Sequence, residues 1–137
     1  MKADRVVLDT NVLISAALNP DGSPRAVVDA IRAVNGVFLF SEETFDELKT
    51  RIDSSKFDNF ISREDRSVFL AQLDPVSEWV SIVGAKLGCR DPDDDKLLET
   101  ALMGEAECVV TGDQDLRAMS PFQNIPILSP ADFVGRR

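Results

Sequence analysis

The chain has 137 residues, 44% of them hydrophobic, with 15 Lys+Arg against 24 Asp+Glu for a formal net charge of −9, and it contains no His. That length fits one domain, taken as residues 1–137, around a buried core of ordinary size. The missing imidazole excludes Ser-His-Asp and Cys-His nucleophile systems and His-based zinc sites, and the acidic balance argues against a protein that coats nucleic acid with a basic surface.

In chain order, the residues before Val6 include Lys2 and Arg5, and the apolar run that follows breaks at Asp9, too short for the core of a secretory signal. No apolar stretch approaches the ~20 residues needed to cross a bilayer, so a soluble cytoplasmic protein with no membrane partner is expected. Val6, Val7 and Leu8 read as a buried strand ending at Asp9, and Asn11 to Leu18 as a short helix. Ser23 and Pro24 open a second helix, with Ser23 as cap and Val27, Val28, Ile31 and Val34 at helical spacing, stopped by Asn35-Gly36. Val37 to Phe40 is a second strand; Ser41 then caps a helix whose first turn holds Glu42 and Glu43 and whose buried face is Phe45, Leu48 and Ile52. Ser62, with Asp65 three positions on, caps another helix through Val68, Phe69 and Leu73.

Trp79 to Val83 reads as a third strand. Beyond an acidic loop at Asp91-Pro92, the residues Leu97, Leu98, Ala101 and Leu102 form an apolar helical face ending near Gly104. Cys108 to Thr111 is a fourth strand and Ile125 to Leu128 a short fifth, whose Pro126 suits a sheet edge; Ser129-Pro130 opens a last helical turn. Trp79, Met103 and Met119 read as core filling. Cys89 and Cys108 form no Cys-x-x-Cys pair, which fits a reduced intracellular chain. Apolar strands alternating with amphipathic helices predict an α/β protein, a three-layer α/β/α sandwich on a parallel sheet of about five strands. Ligands bind such sheets beyond the carboxyl ends of the strands, where strand order reverses.

Four acids carry the chemistry: Asp9 at the end of the first strand, Glu47 on the third helix, Asp95 in Asp91-Pro92-Asp93-Asp94-Asp95-Lys96, and Asp113 just after the fourth strand. A carboxylate at the end of a buried strand risks losing its solvation, and a hard divalent cation with oxygen ligands removes that penalty. Each acid also has a plain structural reading. Asp9 could cap the next helix, Glu47 could be a solvated flank, Asp93 to Asp95 could serve the helix dipole, and Thr111-Gly112-Asp113 could be an ordinary turn.

The ordered set Val7-Leu8-Asp9-Thr10-Asn11-Val12, Ser41 to Leu48, Cys89 to Lys96 and Val109-Val110-Thr111-Gly112-Asp113-Gln114-Asp115-Leu116 resembles the PIN-domain family, particularly its bacterial branch of toxins from toxin–antitoxin systems. The resemblance spans nearly the whole chain. It implies a sheet with the first and fourth strands adjacent at its centre and a metal-dependent ribonuclease activity. It also implies that Asp9, Glu47, Asp95 and Asp113 are the catalytic and metal-holding acids for one or two Mg2+ or Mn2+ ions. Asn11 and Thr111 match polar residues that position those acids or a metal-bound water. Asp94 stays open as the alternative to Asp95, because helix phase is not readable from sequence, and Asp115 as the alternative to Asp113. Such ions make water acidic enough to attack a phosphodiester and offset charge on the phosphate, a chemistry that needs no His.

The partners implied are an RNA substrate, a cognate antitoxin protein and a second copy in a homodimer. Two other readings compete. A catalytically silent PIN-scaffold protein-binding module would bind metal without cleaving RNA. Haloacid-dehalogenase-like phosphatases also place an Asp at a strand end and carry a late Gly-Asp, but they need Asp two positions on, where this chain has Asn11. The stretch Lys49 to Phe69, with Lys49, Arg51, Lys56, Arg63, Arg66, Phe57 and Phe60, is the most basic part of the chain. It reads either as a solvated helical pair with ordinary core aromatics or as a contact surface for RNA, an antitoxin or a second protomer.

Overall fold

Period-two alternation within short apolar runs buries both faces of the strands, and this organises the computed structural model, which describes residues 5–135. Five strands, β1 (Arg5–Leu8), β2 (Val37–Phe40), β3 (Ser77–Trp79), β4 (Cys108–Val110) and β5 (Ile127–Leu128), form one sheet in the order β3-β2-β1-β4-β5. Every pairing is parallel. Val6, Leu8, Phe38, Phe40, Cys108, Val110 and Leu128 face one core. Their neighbours Val7, Leu39, Val109 and Ile127 face the other.

The helices α1 (Thr10–Leu18), α2 (Ser23–Ala33), α3 (Glu42–Ile52), α4 (Arg63–Leu73) and α7 (Pro130–Gly135) cover the first face, with Leu13, Ile31, Leu48, Leu73 and Phe133 buried against it. The second face is covered by α5 (Asp95–Met103) and α6 (Gln114–Arg117), through Leu97, Leu98, Ala101 and Leu116. Each fully buried Leu, Ile or Phe among them contributes about 1.5–3 kcal/mol. The chain is therefore the three-layer α/β/α sandwich that the residue pattern predicts, and the strand order reverses at β1, with β2 on one side and β4 on the other.

Local caps follow the sequence closely. The Ser41 hydroxyl accepts the Thr44 N–H at 3.2 Å while the Thr44 hydroxyl accepts the Ser41 N–H at 2.9 Å, a reciprocal cap on α3. Ser62 accepts the Asp65 N–H at 3.0 Å at the start of α4. At α2 the cap position is Gly22, and Ser23 is already helical, one residue earlier than expected.

Two expectations are corrected. The third strand is Ser77–Trp79, not Trp79 to Val83. A 3-10 turn at Asp74–Val76 delivers the chain to β2 early. After the Val80 N–H has bonded the Phe40 carbonyl at 2.7 Å, the N–H groups of Val83, Gly84 and Ala85 turn to the Glu99 carboxylate. Trp79 and Met103 are not core filling either, being 48% and 54% exposed. Trp79 lies on the edge strand and packs edge-on against Phe45, ring centroids 4.9 Å apart. Met119 does pack against the second core.

Candidate metal centre

Parallel pairing of β1 with β4 sets the residues that follow them side by side, Leu8 opposite Val110, so Asp9 meets Thr111 across the reversal point. The Thr111 hydroxyl donates to Asp9 Oδ2 at 2.7 Å, and the Asp113 N–H donates to Thr111 Oγ1 at 3.0 Å. Thr111 is buried, which makes this two-bond relay a rigid clamp on the Asp9 carboxylate. Asp9 occupies the cap position of α1 yet makes no side-chain capping bond. The plain capping reading of Asp9 is thereby removed.

Asp113 caps α6, its Oδ1 accepting the Asp115 N–H at 2.8 Å. Asp115 is exposed and pairs with Arg90 at 3.6 Å. Glu47 enters from α3 and is held by cations: its Oε1 lies 2.5 Å from Arg51 Nη2, and its Oε2 lies 3.6 Å from Lys96 Nζ and accepts from the Thr10 hydroxyl at 3.4 Å. Those cations, from α3 and α5, offset the repulsion Glu47 would otherwise feel beside the other acids.

The pair left open by the sequence separates clearly. A 3-10 turn at Pro92–Asp94 precedes α5 and sets its phase, so Asp94 and Asp95 point apart. Asp94 makes no capping bond and sits half-buried. Its pKa is pushed up to about 6, first by burial and then by the charges of Asp9, Asp91, Asp113 and Glu47. Asp95 is buried and turns inward, its Oδ1 accepting the Cys89 N–H at 3.0 Å. Hydrogen bonds from the Cys89 thiol, the Cys89 N–H and the Leu87 N–H hold its carboxyl below the ordinary range despite burial. The same contact, after burial, pushes the Cys89 thiol up to about 12, leaving it an inert neutral donor.

Asp9, Glu47, Asp94 and Asp113 are thus brought to one end of the sheet, together with Asp91, which sequence reasoning did not assign a role. Asp95 turns away from them, to the backbone at Cys89. Asn11 is exposed on α1 and lines a neighbouring cleft with Arg51 rather than bonding the acids. Among the described residues no three acids already stand close enough to enclose an ion. The donor set nevertheless suits a hard divalent cation: all oxygen, partly desolvated, and carrying repulsion that a cation would relieve. Ions such as Mg2+ keep several waters and reach their acids partly through them.

Sequence reasoning also missed Glu99. It is 2% exposed, and its carboxylate accepts three backbone N–H groups, from Val83 at 2.8 Å, Gly84 at 3.0 Å and Ala85 at 2.9 Å. Those bonds hold its pKa below the ordinary value against the effect of burial. The available signal was spacing: Glu99 follows Asp95 by four and so shares its helical face. The basic stretch divides as well. Arg66 is 3% exposed and saturated by the carbonyls of Ile52, Ser54 and Ile61 and by Asp58, so it serves the fold, whereas Arg51 and Lys56 are exposed.

Comparison with known proteins supplies the family context. A family model described as a PIN domain matches residues 5–115, a span that includes every acid discussed above. An uncharacterized protein of Methanocaldococcus jannaschii is 34% identical over 113 residues, covering 82% of this chain and 72% of that protein.

Proposed function

The chain belongs to the PIN-domain family, whose members are generally nucleases that use divalent metal ions, and we propose that it is a Mg2+- or Mn2+-dependent endoribonuclease, the toxin of a toxin–antitoxin pair. The observation that carries the reading is the convergence of the Asp9, Asp91, Asp113 and Glu47 charges on the half-buried Asp94 at the carboxyl end of β1 and β4.

One or two ions would be held by Asp9, Glu47, Asp94 and Asp113, with Asp94 in the role that the family resemblance carries over to Asp95. A bound ion supplies acidified water and offsets charge on the scissile phosphate. The protein's own groups orient the acids. Thr111 fixes the rotation of the Asp9 carboxylate through Oδ2. The Asp113 N–H holds that hydroxyl in place. Arg51 and Lys96 keep Glu47 extended beside its fellow acids. Asp95 acts one step removed, by anchoring the chain at Cys89 so that the Pro92–Asp94 turn presents Asp94.

Cleavage of single-stranded RNA with and without Mn2+ tests this in the native chain and in Asp9→Asn, Asp94→Asn and Asp95→Asn. Loss of a carboxylate ligand should lower the rate by about 100-fold or more, equivalent to about 2.7 kcal/mol of barrier, in the first two. Asp95→Asn should chiefly lower the melting temperature. Equal cleavage by all four proteins would sink the assignment. For the toxin role, growth arrest on expression should vanish with Asp9→Asn; growth unaffected by the native chain would remove that part alone.

A further inference from the structure

Beside the acids lies a cleft of about 490 Å³ between α1, the end of α3 and the 3-10 turn Ser55–Phe57, with Asn11, Ser15, Arg51, Ser54, Lys56 and Phe57 in its lining. We propose that this cleft is a subsite for the single-stranded ribonucleotide unit next to the scissile phosphate, Arg51 and Lys56 taking backbone phosphate and Phe57 the base. The assignment rests on the nuclease reading and adds to it the residues that would hold the substrate.

Charge selects the ligand. In a chain of net charge −9, this cleft carries two cations and no carboxylate in its lining. Comparable clefts elsewhere on the described residues include Asp58 and Asp65, Glu78, or Glu42 and Glu43, and the other basic one, with Lys49, Arg63 and Arg66, includes Asp53 and has Arg63 paired with that carboxylate and Arg66 bonded to backbone carbonyls and Asp58. A planar guanidinium suits phosphate oxygens through paired N–H donors. Position links the cleft to the chemistry: Arg51 lines it and pairs with Glu47 at 2.5 Å, and Asn11 stands two residues after Asp9. An anion bound at Arg51 would therefore lie next to the acid cluster.

The cleft is also pre-formed. The Lys56 ammonium rests over the Phe57 ring, 5.1 Å from its centroid, in the place a base would take once Lys56 turns to its phosphate. Arg66 fixes the backbone on both sides of the turn, donating to the carbonyls of Ile52 and Ser54 before it and Ile61 after it, at 3.2, 3.2 and 2.9 Å. An aromatic ring in a concave basic wall suits an unpaired base, whose face is free to stack, whereas a duplex hides its base faces. The Ser15 and Ser54 hydroxyls and the Asn11 amide offer further hydrogen bonds to sugar or base edges.

The test uses the full chain, a fluorescent single-stranded oligoribonucleotide, anisotropy for Kd without added metal, and steady-state cleavage with Mn2+. Lys56→Glu should raise Kd and KM about tenfold with kcat within about threefold, and Lys56→Arg should restore both. Phe57→Leu, which keeps an apolar side chain against the core, should weaken binding about fivefold. Thermal melts confirm that each variant is folded. Cleavage by the native chain with Kd and KM unchanged in either variant overturns the subsite and leaves the nuclease reading standing. A native chain that binds but does not cleave, with binding weakened in the variants, supports the subsite and overturns the nuclease. Neither binding nor cleavage overturns both. A polyglutamate peptide that competes as well as the oligoribonucleotide overturns RNA as the occupant.

Discussion

Removing the Glu99 carboxylate should unfasten the segment that runs from the edge strand to the candidate metal centre. Its two oxygens accept three backbone N–H groups, Oε2 from Val83 and Oε1 from Gly84 and Ala85, inside a site that is 2% exposed. Hydrogen bonds to a charged acceptor contribute about 1.5–3 kcal/mol each, and an abandoned buried donor costs about 1–3 kcal/mol. Glu99→Gln keeps the oxygen facing Gly84 and Ala85 but sets an NH2 against the Val83 N–H, so one bond is lost and two donors oppose: about 2 kcal/mol. Glu99→Ala abandons all three donors, about 4 kcal/mol after allowing for the new space to admit water. With a urea slope of roughly 2 kcal/mol per molar for a domain of this size, the midpoint should fall by about 1 M in Glu99→Gln and about 2 M in Glu99→Ala. Amide exchange read residue by residue should show protection at Val83, Gly84 and Ala85 falling about 30-fold in Glu99→Gln, the equivalent of about 2 kcal/mol. The pH sign follows from the lowered pKa. The Glu99 contribution is complete above the unfolded value near 4.5 and is lost as pH falls through the lower folded value, so the variant and native stabilities should converge in acid. Midpoints and loop protection equal to the native chain's at pH 7 would refute the clamp.

Three further outcomes are expected. Asp94→Asn should raise the melting temperature of the metal-free protein at pH 7 by a few degrees, because the folded pKa near 6 exceeds the ordinary 3.8 and charging Asp94 opposes folding above that range; the gain should disappear by pH 3, and thermal scans across pH check it. Mn2+ binding followed by calorimetry should weaken below about pH 6, since the ion then displaces a proton from Asp94. Arg66→Met should cost about 3 kcal/mol in denaturant titration, because three carbonyls and Asp58 lose a shared, buried donor.

Much of this molecule was legible from local pattern. Strands alternate their side chains between two faces whatever surrounds them, so Val6-Val7-Leu8 and Cys108-Val109-Val110 announced a sheet buried on both sides. Ser41 and Ser62 bond N–H groups three residues on, within reach of any model of the chain. Asp9 and Asp113 were legible because a strand end is a defined place in the sheet. The third strand was read two residues late, because the β-rich run Trp79 to Val83 satisfies propensity equally well while the competing acceptor, Glu99, lies 14 to 16 residues away in sequence. Trp79 and Met103 read as core because large apolar side chains usually are, yet an edge strand and a helix end leave them no second layer to enter.

The sequence by itself determined the alternating architecture, the exclusion of imidazole chemistry by the absence of His, and the order of the acids along the chain. Only the tertiary structure decided which acid faces which environment. Each residue of an α-helix turns about 100° from the last, so a short turn at Pro92–Asp94 suffices to send Asp94 toward Asp9 and Asp113 and Asp95 toward Cys89. The same dependence hides Glu99 and Arg66, charged residues whose burial is tolerable only because backbone groups from distant segments arrive to bond them.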